Sequence, residues 1–221
     1  ANNVAVGQNS LALNTTGEQN VAIGSNALDA NTTANNNTAV GRSSLGANTT
    51  GASNTALGRK ALEANTTASN NTAVGADALI LNTTGNAHVA IGTNCLDANT
   101  TGAAHTAVGF EALTSNTTAN DNSAFGYRSL KSNTTGTFNT GIGSQALEAN
   151  TTADNNTAVG HKSLEANTTG VDNTAVGAFA LDANTTGNDC VAVGKQALTD
   201  NTTGINNTAL GFQSLENNTT A

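Results

Sequence analysis

Residues able to do chemistry are sparse in this chain of 221. It holds three His, two Cys, seven Lys or Arg and fifteen Asp or Glu, for a formal net charge of −8. Nucleophilic catalysis needs Ser or Cys beside a His that a third group orients, and no such grouping recurs here. His88 and His105 share one repeat position in neighbouring units, but a metal site needs further ligands and none accompanies them; His161 reads as a turn residue. Glu148, Glu165 and Asp182 also align in neighbouring units. An oxygen-rich row can hold calcium, yet Thr199 breaks it, so the row reads as a solvated face. Phe110, Tyr127, Phe179 and Phe212 fall in turns, where aromatics can meet a sugar or receptor; they read as incidental surface. No enzyme, no cofactor and no metal is the reading.

Asn-Thr-Thr recurs at Asn14, Asn31, Asn48, Asn65, Asn82, Asn99, Asn116, Asn133, Asn150, Asn167, Asn184, Asn201 and Asn218. Each triplet is an N-glycosylation sequon, so one reading is a row of glycans. The other is a ladder of Asn amides capping turns or stacking on one another. Both Thr are fixed, whereas a sequon leaves its middle residue free. That favours the ladder.

These triplets sit inside a larger period. From Asn3 the chain repeats every 17 residues, thirteen times, without insertion or deletion. Numbering the unit as slots 1 to 17, slot 5 is always Gly, slot 9 always Leu, slots 12 to 14 always Asn-Thr-Thr, and slot 15 only Gly or Ala. Asn, Thr and Gly dominate, and no helical period is present. Slots 2 and 4 hold Val, Thr or Ser and then Val, Ile, Leu or Phe, as in Thr38/Val40 and Ser123/Phe125. Strand side chains alternate, so slots 2 and 4 are predicted to face in and slots 1, 3 and 5 out. A second strand is predicted over slots 8 to 13, with turns at slots 5 to 7 and from Asn-Thr-Thr to slot 17. The expected fold is an all-β parallel β-solenoid of thirteen 17-residue coils, two short strands each. At roughly 4.8 Å per coil it makes a rod about 60 Å long. Residues 1–221 form a single array, read as excised from a longer fibrous protein and lacking caps.

Slot 3 is the most restricted position on the face expected to point outward. It holds Ala5, Ala22, Ala39, Ala56, Ala73, Ala90, Ala107, Ala124, Gly141, Ala158, Ala175, Ala192 and Ala209. Slots 6, 7, 10 and 16 vary freely. Thirteen small residues in a row therefore predict another backbone packed against this face, an oligomer interface with sister chains. A thin solenoid also needs apolar area from outside itself, and stability accumulates along such an array.

Segments NVAIG (Asn20–Gly24), HVAIG (His88–Gly92) and NTAVG (Asn37–Gly41) resemble the strand motif of trimeric autotransporter adhesin heads. The full NTAVGxxALxANTTGxxN arrangement resembles arrays in bacteriophage tail fibres. The resemblance spans every repeat, although the adhesin repeat is shorter. It implies a left-handed β-roll, three chains about one axis, slot 3 at that axis, and attachment to a host or surface.

The expected function is thus the shaft or head segment of an extracellular homotrimeric fibre, its partners being copies of itself and a host-surface receptor or glycan. Two alternatives stand beside it: an ice-binding solenoid using the Thr rows of slots 13 and 14, and a self-assembling filament or surface-layer subunit. The acidic charge speaks against nucleic acid, and no apolar run reaches the length of a membrane span. Cys95 and Cys190 fall six units apart, too far to bridge in a solenoid, and read as buried small residues.

Overall fold

The computed structural model describes residues 2–220. Among them there is no helix; every regular element is a strand of three residues, one per repeat. The chain divides into two compact units, one ending at Phe110 and the other beginning at Glu111. The first holds β1 (Val4–Val6), β2 (Val21–Ile23), β3 (Thr38–Val40), β4 (Thr55–Leu57), β5 (Thr72–Val74), β6 (Val89–Ile91) and β7 (Thr106–Val108). The second holds β8 (Ser123–Phe125), β9 (Thr140–Ile142), β10 (Thr157–Val159), β11 (Thr174–Val176), β12 (Val191–Val193) and β13 (Thr208–Leu210).

Within each unit, consecutive strands pair parallel and in chain order. Thr38 lies beside Thr55 and Thr157 beside Thr174, so equal slots stack on equal slots. Parallel partners need a crossover between them, and here the rest of each 17-residue coil provides it. Both units are therefore parallel β-solenoids with one coil per repeat.

The predicted second strand is absent. Slots 8 to 11 form turns, because the backbone changes hand there. Slot 7 and the Leu of slot 9 both take positive φ, as in Lys162 at 57° and Leu164 at 51°. Such a conformation costs a non-glycine residue about 1–2 kcal/mol. It lets slots 8 and 9 bury their side chains together, which a pleated strand forbids: Ala180 and Leu181 are both at 0% exposure. The coils are still laddered. In coil 3, Leu45 N–H donates to Ala61 O at 3.0 Å, Ala47 N–H to Glu63 O at 2.9 Å and Thr49 N–H to Thr66 O at 2.9 Å.

Slot 5 needs glycine for two reasons. Gly160 has φ of 140°, and a Cβ there would come within 2.5 Å of Gly177 O in the next coil.

The orientation of the strand is the reverse of the expected one. Slot 3 points inward: Ala22, Ala39, Ala56, Ala73, Ala90, Ala107, Ala124, Ala158, Ala175 and Ala192 are at 0% exposure and Ala209 at 1%, all within a single chain. Gly141 is buried in the same row, and Ala5, in the first coil, is exposed. Apart from Ala5, the row expected to lie outward against sister chains is thus buried inside its own chain. The close neighbour that keeps slot 3 small is the chain's own: a Cβ at Gly141 would meet Ser129 Oγ at 2.5 Å and Leu130 Cγ at 3.4 Å, slots 8 and 9 of the preceding coil. The interior is too thin for more than a methyl opposite Leu. Slots 2 and 4 accordingly point away from it.

Candidate functional site

Two features could serve a function: the outward strand face and the polar interior beneath it. On the face, slot 2 presents Val4, Val21, Thr38 and their equivalents, and slot 4 presents Val6, Ile23, Val40 and theirs. Both positions are half-buried or exposed apart from their immediate stacking neighbours, with Phe125 at 39% and Ile142 at 42%. None of the chain's charged residues occupies slot 2 or slot 4 in any repeat; they fall at slots 6, 7, 10, 11, 16 and 17. Scattered apolar residues on a surface are ordinary, whereas a contiguous row of them marks a contact surface.

The interior carries two Asn ladders. The slot 12 amide donates to its counterpart in the preceding coil and to the slot 15 carbonyl of its own: Asn150 Nδ2 lies 2.8 Å from Asn133 Oδ1 and 3.2 Å from Ala153 O. Slot 1 supplies the second ladder. Asn139 Nδ2 donates to Ala153 O at 2.7 Å, and Asn156 N–H donates to Asn139 Oδ1 at 3.0 Å. Both ladders thus converge on one carbonyl per coil, and buried polar groups find partners in their own stack. From Asn31 to Asn201 every slot 12 Asn is at 0% exposure; Asn14 and Asn218 are half-buried. The nitrogen that a glycan would occupy is the nitrogen donating into the ladder, so the folded chain uses these sequons as structure. Of the paired Thr, slot 13 donates its hydroxyl onward, as Thr49 Oγ1 does to Thr66 O at 3.0 Å, while slot 14 is exposed.

Comparison with protein-family models and with curated proteins finds no match.

His88 and His105 replace Asn in the slot 1 ladder. Their rings stack with centroids 5.3 Å apart and 9° between planes, and both are at 1% exposure. Burial first, and His105 second, push the His88 imidazole down to about 3. His161 instead meets Phe179 edge-on at 5.1 Å. Cys95 and Cys190 are free and buried, with burial holding the Cys95 thiol up at about 12 and pushing the Cys190 thiol up as well. Cys190 stands in the ladder and its thiol donates to Gly204 O at 3.3 Å.

The acidic row lies among cations and amides. Lys162 pairs with Glu165 at 3.0 Å, and Gln145 donates to Glu148 at 2.7 Å. Asp182 is pushed up by burial. Glu111 is held down, chiefly by its hydrogen bond from Lys131. No group of three His, Cys, Asp or Glu among the described residues is placed to hold a metal ion. A shallow polar notch opens at Gly46, where slot 10 lacks a side chain between Asp29 and Glu63. Among the described residues no helix is long and apolar enough to cross a membrane.

Sequence reasoning named the slot 12 ladder and slot 1 as a ladder position, but set slots 1 and 3 outward where they face in. Restriction of residue type alone does not mark the interior: slots 1, 3, 8, 9, 12 and 15 take three types or fewer and face in, but slot 14 is always Thr and is exposed.

Proposed function

We propose that this chain is the structural repeat segment of an extracellular fibre, three copies associating in parallel through the outward face of slots 2 and 4. The observation that carries the reading is the absence of all seven basic and fifteen acidic residues from that face, beside charge-rich edges. Within each unit, a parallel solenoid presents it as a row repeating about every 4.8 Å. Copies laid side by side with equal slots opposed would bury Val, Ile and Thr against their like, and closed rotational symmetry caps the assembly. The resemblance to adhesin heads and tail fibres supports three as the number and attachment as the purpose, with the contact moved from slot 3 to slots 2 and 4.

Light scattering on the intact chain tests this. A trimer at micromolar concentration supports it, and a replacement of Val159 and Val176 by Glu should then yield monomers with unchanged circular dichroism. A wild-type monomer would overturn the association, and length-polydisperse polymers would favour a filament subunit.

Ice binding is the second reading, favoured by a specific observation: Thr38, Thr55 and Thr72 stack in register beside Val40, Leu57 and Val74 on the outward strand. A regular Thr and Val array suits an ordered water surface better than the slot 13 row, whose hydroxyls are spent on backbone carbonyls. Thermal hysteresis from a monomer would select it.

A further inference from the structure

The slot 1 ladder changes chemistry at His88 and His105 in coils 6 and 7, and again at Cys190 in coil 12. Elsewhere in the slot an Asn offers two atoms: Oδ1 accepts the N–H of the next coil, and Nδ2 donates to the slot 15 carbonyl of its own coil, as at Asn54 with Asn71 N–H at 3.0 Å and Ala68 O at 2.9 Å. At coil 6 an imidazole does both jobs. His88 Nδ1 accepts His105 N–H at 3.3 Å, which leaves Nε2, 3.4 Å from Asn99 Nδ2, to make the ring's hydrogen bond to the Gly102 carbonyl. This pairing defines the tautomer: Nε2 carries the proton and Nδ1 is bare. The larger ring also depends on glycine in the neighbouring stack, since a Cβ at Gly85 would meet His88 Nε2 at 2.7 Å.

An Asn amide has no proton to gain in ordinary water. An imidazole does. We propose that His88 and His105 form an acid-sensitive joint in the ladder: protonation of His88 Nδ1 abolishes its acceptor function toward His105 N–H and opens the chain around residues 88–105, while coils laddered by Asn stay closed. Both rings are sealed from water and stacked on each other, so a charge on one meets the other face to face.

Burial, His105 and the Gly102 carbonyl set the His88 environment. Around His88 the interior groups are Asn71, Asn99, Gly102 and His105. Cys95 of the same coil is a neutral thiol. The acids of coils 5 and 6, Asp77 and Asp97, belong to edge slots 7 and 10, and Asp77 is paired with Arg59. The depressed His88 pKa agrees with this enclosure. Its sign is that of a base kept neutral by folding: the unfolded ring takes its proton near 6.5, the folded ring only near 3. Stability is therefore whole above the upper value and is lost as pH falls toward the lower one. Each pH unit in that window multiplies the local opening constant by about ten for one such proton.

Hydrogen exchange followed by mass spectrometry on the intact chain tests the joint, from about pH 7.5 to about pH 4.5, across the ordinary imidazole value. After correction for intrinsic exchange, peptides covering 88–108 should lose protection about tenfold per unit below about pH 6.5, while peptides covering 140–180 hold theirs. The variant His88→Asn/His105→Asn restores the residue used in most coils and should remove the difference. The proposal is overturned by pH-independent protection over 88–108 in the wild type, by equal losses in both regions, or by the same loss in the double variant. An imidazole NMR titration of His88 near 6.5 in the folded chain would also overturn it. The test reads a single chain's interior, so its outcome is independent of the fibre reading.

Discussion

Asn150 offers the sharpest test of the ladder, because one substitution alters its polarity and another its presence. Its Nδ2 donates to Asn133 Oδ1 at 2.8 Å and Ala153 O at 3.2 Å, and its Oδ1 accepts Asn167 Nδ2 at 3.0 Å. In Asn150→Ala, Ala153 O keeps the Asn139 amide and Asn167 keeps Gly170 O. Asn133 Oδ1 loses its ladder donor, and one Asn167 Nδ2 hydrogen loses its acceptor. Each buried unsatisfied polar group costs about 1–3 kcal/mol. Asn150→Asp places carboxylate oxygens against Asn133 Oδ1 and Ala153 O, two acceptors, at a site of 0% exposure. Several kcal/mol more is expected while the acid is ionised. The new Asp should take up a proton above its unfolded value near 3.9, since the neutral acid can donate where the amide did. A group with a raised folded pKa is least harmful below its unfolded value and most harmful above its folded value. Asn150→Asp should thus be far less stable than Asn150→Ala near pH 7, and close to it near pH 4. Urea melts by circular dichroism at both pH values measure this. Because a repeat array can unfold piecewise, exchange protection at Thr151 and Thr168 should fall in parallel. An Asn150→Asp chain as stable as wild type near pH 7 would refute the ladder.

Other substitutions separate the remaining contacts. Gly160→Ala meets both a φ of 140° and an oxygen 2.5 Å from the new Cβ; the backbone alone costs about 1–3 kcal/mol, read as a lower urea midpoint. Gly141→Ala should instead stabilise by about 0.4–1 kcal/mol, because Ser129 can turn its hydroxyl to Gly126 O as Ser44 and Ser163 turn theirs to Gly41 O and Gly160 O. A loss of thermal stability there would show that Ser129 cannot rotate. Leu164→Ala, at 0% exposure, should cost about 2–5 kcal/mol in the same melts. Folded protein offered to a purified oligosaccharyltransferase should stay unmodified from Asn31 to Asn201, and glycopeptides from those sites would contradict their burial.

The period, the coil per repeat and the glycine at slot 5 were all legible in the amino-acid order, because equal spacing without insertion admits stacking and little else. Which side of the strand faced inward was not. Alternation separates Val40 from Ala39 without saying which is inside, and hydrophobicity ranks Val first. Here the order inverts, since Leu45 already fills the thin interior and leaves room only for the methyl of Ala39 and the paired amides of Asn37 and Asn48. The left-handed leucines were illegible for a similar reason. Leu is a poor choice for positive φ in isolation, and only the need to bury slots 8 and 9 together makes it pay.

Because the Asn-laddered coils of each unit close their own interiors and bond to their neighbours through the same atoms, each unit behaves as a ruler. Removing residues 156–172 joins two identical cross-sections and shortens the array by one graduation, without disturbing any remaining amide stack. Losing a single residue within a coil slides both stacks out of alignment together. Genetic change by whole units is thereby permitted and change by fractions is punished, so length becomes a quantity that recombination can set freely while thickness cannot vary at all.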